Sequence, residues 1–138
     1  MIQKWTYTLF VALLFLVVAC TSSKKVEPMH IHPNSEIEIL GQKQVIPTNI
    51  GLSPNQHQPI HTHETDGTLH VESPIIRDFY LREFFQIWNK RFDEQCIFDY
   101  CTNATPQLRV YVNGVENHQF GGILLEDNQK IKITYGER

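Results

Sequence analysis

The sequence predicts a small α+β domain in which one amphipathic helix packs across a mixed β-sheet. Three patterns lead there. Short runs in both halves alternate apolar and polar residues, the period of a half-buried strand. One central run changes to the helical period. Strong turn dipeptides separate the strands. With 41% apolar and 20% charged residues in 138, the composition is globular, which excludes a disordered tail and a polytopic membrane protein. Twelve basic against 15 acidic side chains lack the electrostatic footprint of a nucleic-acid binder, so no nucleic-acid partner is expected.

In chain order, Ser35 to Leu40 (SEIEIL) sets Ile37 and Ile39 on one face and Glu36 and Glu38 on the other. Gly41-Gln42 is the expected turn, and Gln44-Val45-Ile46 the returning partner, stopped by Pro47 because proline has no N–H for a ladder. Thr48 to Pro59 reads as loop. Thr68 to Glu72 alternates again. Leu81, Phe84, Phe85, Trp88 and Phe92 then recur at helical spacing, which predicts a helix near residues 79–92 with Asp78 available to cap it. Its aromatic stripe is core material rather than a cofactor box. Leu108 to Val112 and Lys130 to Tyr135 are strands, and Asn113-Gly114 after the first is a type I′ hairpin signal.

The N-terminal segment is an address. Lys4 is its only charge before residue 24, and Leu9 to Ala19 is an unbroken apolar run of eleven residues. A bilayer-spanning helix needs about 20, whereas the h-region of a secretory signal takes roughly 7–15. The run ends in Val17-Val18-Ala19-Cys20. This resembles a bacterial lipobox, whose cysteine is lipidated and becomes the mature N-terminus. The resemblance implies a signal peptide over 1–19, a polar tether over 20–28 and a single domain over 29–138. It implies a protein of the cell envelope, anchored to the membrane through lipidated Cys20 and facing the periplasm or the exterior. By analogy with Gram-negative sorting, Thr21 in place of an aspartate implies the outer membrane if the cell is Gram-negative. The alternative is an ordinary signal peptide with an incidental Cys20.

Outside the cytoplasm, Cys96 and Cys101 (CIFDYC) are expected to form a disulfide. So small a loop contributes about 2 kcal/mol in the chain-entropy model. Two metal thiolates or a redox pair are the alternatives, although thioredoxin-like chemistry uses C-x-x-C.

The chemistry lies in the histidines, of which there are seven. Pro59 to Pro74 reads PIHTHETDGTLHVESP. If Asp66-Gly67 is a two-residue hairpin loop, Thr65 pairs with Thr68, His63 opposes His70 and His61 opposes Glu72. All four ligand-type side chains then project from one face, and Leu69 and Val71 from the other. Opposed residues sit about 5.5 Å apart at Cα, so the imidazoles can converge on one ion. An H-x-H with a third histidine on the neighbouring strand parallels the zinc site of carbonic anhydrase in geometry, without family resemblance. His61, His63 and His70 are the candidate ligands, with Glu72 as a fourth ligand or as the orienter of an imidazole. His30 and His32, extended, also share a face and either join this site or form their own; Met29 beside them offers a thioether. His57 and His118 are read as surface residues. Solvated histidines are the bland alternative, and a one-residue register slip would turn every ligand to the wrong face.

Two resemblances extend further. The ββ–α–ββ order and the tail VNGVENHQFGGILLEDNQKIKITYG resemble the β-grasp, or ubiquitin-like, fold. Gly121-Gly122 is internal rather than terminal, so a sulfur-carrier role does not follow. The segments His30 to His32, Ile46 to Gly51 (IPTNIG), His61 to Pro74 and Val112 to Gly114 resemble a group of uncharacterised secreted or lipid-anchored proteins. That resemblance implies no activity.

Together these features predict a lipid-anchored, extracytoplasmic metal-binding protein that captures, buffers or delivers Zn(II) or Cu(II), with a protein partner for transfer. Three imidazoles without a thiolate suit these ions. A metalloenzyme with three histidines and an open water position is the alternative. Catalysis is the less favoured of the two, because the folded part is small and has no second convergent set of polar residues for a substrate. A metal-free adaptor lipoprotein is the third reading.

Overall fold

A computed structural model describes residues 28–103 and 105–137. The signal segment, Cys20 and all of the tether but Pro28 lie outside the described residues. The first half forms β1 (Met29–Ile31), β2 (Asn34–Ile39), β3 (Gln42–Gln44), β4 (Leu52–Ser53), β5 (Gln56–His57), β6 (Ile60–His61) and β7 (His70–Ser73). Helix α1 (Leu81–Ile87) follows, then β8 (Cys96–Ile97), β9 (Tyr100–Cys101), β10 (Gln107–Val112), β11 (Val115–Asn117), a 3-10 turn (Phe120–Gly122) and β12 (Lys130–Gly136).

The main sheet is mixed, in the order β11-β10-β12-β2-β3. Its central pair, β12 and β2, is parallel, with Ile133 opposite Ile37, and antiparallel hairpins flank it on both sides. Alternation decides the faces. Ile37, Ile39, Ile131, Ile133, Leu108 and Val110 point into the core, which Leu81, Phe84 and Phe85 of α1 join. On the outer face Lys132 Nζ lies 3.2 Å from Glu36 and 3.0 Å from Glu38, a solvent-exposed network of small energetic weight. The β2–β3 turn is Leu40-Gly41, one residue earlier than Gly41-Gln42, with both residues at positive φ. Strand β3 accordingly ends at Gln44, and Ile46 leaves the ladder to enter the core. Asn113-Gly114 adopts the expected positive φ pair, with Val112 opposite Val115. The segment read as loop over Thr48 to Pro59 contains the short hairpin β4–β5.

The helix is shorter than the stripe that predicts it. Its N-cap is Tyr80, not Asp78; the Glu83 carboxylate accepts the Tyr80 N–H at 2.9 Å and also pairs with Arg77 at 2.8 Å. It stops at Ile87 because Asn89 turns left-handed (φ 55°), which lets Lys90 N–H reach Phe85 O and Asn89 N–H reach Gln86 O. Phe92 lies beyond the helix and is still buried, stacked on Phe85 with ring centroids 4.4 Å apart. Cys96 and Cys101 are register partners in β8–β9 with sulfurs 2.07 Å apart, at disulfide distance.

A second sheet, in the order β1-β7-β6, carries the histidines. Asp66-Gly67 is not the loop of a two-residue hairpin. Strands β6 and β7 pair Ile60 with Val71 and His61 with His70, and residues 62–69 form a longer loop. Asp66 closes a local turn by accepting the Thr68 N–H at 2.8 Å, a bond that holds its carboxyl below the ordinary range. The loop then docks onto the start of β2: Ser35 N–H donates to Gly67 O and Leu69 N–H to Pro33 O, both at 2.8 Å. Gly67 has φ 89°, and a Cβ there would overlap the Ser35 carbonyl oxygen. Gly67→Ala is therefore expected to cost about 3 kcal/mol or more in unfolding free energy. Chemical denaturation measures this, and an unchanged midpoint would contradict the docking.

Candidate metal centre

Why the histidines meet follows from the order of the second sheet. Strand β7 is central, so His70 has a neighbour on each side. His61 of β6 is its register partner. On the other side Ile31 pairs with Val71 and His30 with Glu72, so continuing that register sets His32 opposite His70. His61, His70 and His32 thus form a row across one face, while Leu69 and Val71 turn into the core. His63 lies beside His70 and His61, and His30 beside His32.

Ring geometry defines two overlapping triads. In the first, His61 stacks on His70 at 5.5 Å between centroids, with His63 4.6 Å from His70 and 4.9 Å from His61. In the second, His32 lies 4.8 Å from His70 and 4.5 Å from His30. Within each triad one nitrogen per ring lies within 4.8 Å of the others. Nitrogens around a tetrahedral ion with bonds of about 2.0–2.1 Å are about 3.3 Å apart. Bound ligand atoms would therefore sit closer together than the 4.8 Å within which each triad lies.

The surrounding polar groups fix ring orientation. His61 is buried, and its Nδ1 lies 3.0 Å from the Gln58 carbonyl, which can only accept; Nδ1 therefore carries the proton and Nε2 is left as a ligand. His30 Nε2 is 3.0 Å from the Glu72 carboxylate. Glu72 is thus the contact partner of His30, and His61 faces His70 rather than Glu72 across the ladder. His32 Nδ1 is 3.9 Å from Asp127, and His70 Nε2 is 3.9 Å from Glu64. His57 is exposed at the margin, its ring 6.1 Å from that of His61, and His118 is exposed.

Three contributors escape the sequence reading. Gln58 sets the tautomer of His61. Asp127 accepts the His32 backbone N–H at 2.8 Å from a position 95 residues away. Thr62, between the two histidines of H-T-H, points the opposite way and is buried. Its hydroxyl donates to Pro47 O at 2.7 Å and accepts Ile50 N–H at 3.1 Å, while its backbone pairs with Asn49 and Ile50. The I-P-T-N-I-G segment is therefore the clamp that holds H-T-H. An interior threonine flanked by two same-face histidines was the available signal.

Comparison with protein-family models, with curated proteins and with solved structures gives no match.

Burial, followed by the neighbouring imidazoles, holds the His70 pKa below the ordinary imidazole value. Burial does the same at His61, partly offset by the Gln58 carbonyl. The unfolded chain thus takes up protons at these positions before the folded chain does. The metal-free protein is expected to lose stability as pH falls below about 6.5, the unfolded imidazole value. Thermal melts at pH 7.5 and pH 5 check this, and the loss should shrink in His70→Gln. Thr62→Val keeps the shape but strands a buried acceptor and donor. It should lower stability by about 1–3 kcal/mol in denaturant titration.

Proposed function

We propose that the chain is a metalloprotein whose His61, His63 and His70 hold Zn(II) or Cu(II) with one coordination position left free, as a small metalloenzyme requires. The observation that carries this is the company of Glu72. It is the one carboxylate predicted to close the position, and it is turned to His30 at 3.0 Å. When bound, an ion in such a site supplies a Lewis acid and lowers the pKa of a coordinated water to about 7. The chain's own residues would do the rest. The Gln58 carbonyl keeps the His61 proton on Nδ1. Glu64, exposed and 3.9 Å from His70, is the candidate general base. A cleft of about 300 Å³ beside the cluster, lined by Met29, His30, His57, His61 and Glu72, fits a small substrate, with hydrolysis or hydration as the reaction class.

Capture and delivery of the ion is the second reading, favoured by the doubling of triads around His70. A metal-free adaptor accounts less well for five converging imidazoles. Envelope location and anchoring through Cys20 are part of the same proposal, supported by the apolar run before Cys20 and by the Cys96–Cys101 pair at disulfide distance. The β-grasp reading is supported by a central parallel pair, β2 and β12, with β2 flanked by its hairpin partner β3 and β12 by the β10–β11 hairpin. The likeness to secreted proteins with the same histidine segments is retained as part of the proposal.

The test is calorimetric titration of the full-length chain with Zn(II) and Cu(II), beside the His61→Ala/His63→Ala variant. One tightly bound ion is expected, with affinity reduced by about 100-fold or more in the variant. Binding no tighter than high micromolar, or unchanged in the variant, would sink the metal reading. Azide added to the Cu(II) form should perturb its ligand-field spectrum if a position is open; an unchanged spectrum would favour storage or delivery over catalysis.

A further inference from the structure

The second triad has no task in that reading, yet it shares a ligand with the first. His70 stands in the middle strand, with His61 opposite on β6 and His32 in line on the β1 side. Among the described residues, both groups that could hold an ion include it, His30/His32/His70 and His61/His63/His70. We propose that these are the outer and inner positions of a single metal path. An ion first binds His30, His32 and His70. It then exchanges His32 and His30 for His61 and His63 without leaving His70.

Exposure gives the direction. The His30 and His32 side chains are 53% and 40% exposed, His70 is 18% exposed, and His61 is 2% exposed. His63 of the inner triad is exposed as well, so His61 alone sets the direction: the ion ends beside a buried ring whose free nitrogen is already set. Charge agrees with that order. Glu72 is 3.0 Å from His30 and Asp127 is 3.9 Å from His32, so two carboxylates draw a cation to the outer pair. Glu72 also accepts a hydrogen bond from the Nε2–H of His30, which leaves Nδ1 as the ligand atom. A single imidazole serves one triad at a time as a terminal ligand, so the protein holds one ion, at one position or the other. Ligand-by-ligand exchange needs no fully dissociated ion, and the shared histidine makes the transfer intramolecular.

The inference rests on the inner triad being a metal site, and the experiment separates the two. Zn(II) loading of the full-length chain is followed by stopped flow, and unloading by competition with a chromogenic chelator. In His30→Ala/His32→Ala, both rates are expected to fall together by about tenfold or more, with the dissociation constant within about threefold. In His61→Ala/His63→Ala, weak binding of one ion should persist and vanish when His30 and His32 are also replaced. Glu72→Gln, which keeps every imidazole, should slow loading in the same direction. Unchanged rates in the His30/His32 variant would overturn the path and leave the inner site intact. So would complete loss of binding in the His61/His63 variant. Two ions per wild-type chain would overturn the one-ion exchange and make His70 a bridging ligand. No ion in the wild-type chain would remove the inner site itself.

Discussion

The five imidazoles are brought together by backbone hydrogen bonds rather than by attraction among themselves. Residues 62–69 are tied at one end to Pro47–Ile50 through Thr62 and at the other to Pro33–Ser35 through Gly67 and Leu69. Imidazoles packed at ring distances of 4.5 to 5.5 Å gain little from one another while neutral and repel when protonated. The clustering therefore has to be sustained by the scaffold, and the scaffold spends buried hydrogen bonds on it. That investment argues for a purpose to which solvated surface histidines would be indifferent.

Much of this was legible in the chain. Period-two alternation in SEIEI and KIKIT located the two central strands and named their buried faces, because parity survives small errors in boundary. Asn113-Gly114 was decisive because its strands lie immediately on both sides. The same logic misled at Asp66-Gly67, where the glycine's positive φ serves close approach to Ser35 rather than a hairpin. The ladder moved by two residues, which keeps parity, so His61 and His70 still share a face while their partners change. A shift of one would have buried the ligands instead.

What local patterns could not supply was the specific pairing between distant segments. Nothing in the local pattern announces that β2 pairs with β12, that His30 faces Glu72, or that Asp127 supports His32. The helix boundary was hidden for a different reason. Phe92 keeps the spacing of the aromatic stripe, yet Asn89 ends the helix first, and Phe92 reaches the same core by folding back onto Phe85. Periodicity reports which side chains are buried more faithfully than it reports the backbone that buries them.

The parallel pairing of β2 with β12 has a consequence for when the cluster can exist. Asn34 N–H bonds to Gln129 O and His32 N–H to Asp127, so the segment carrying the first two histidines is seated by residues near the other end of the chain. Such long-range closure comes late in folding. A polypeptide that has not yet closed this pairing holds all five imidazoles but lacks the frame that gathers them, so it offers no assembled cage to an ion. Competence arrives with the last strand.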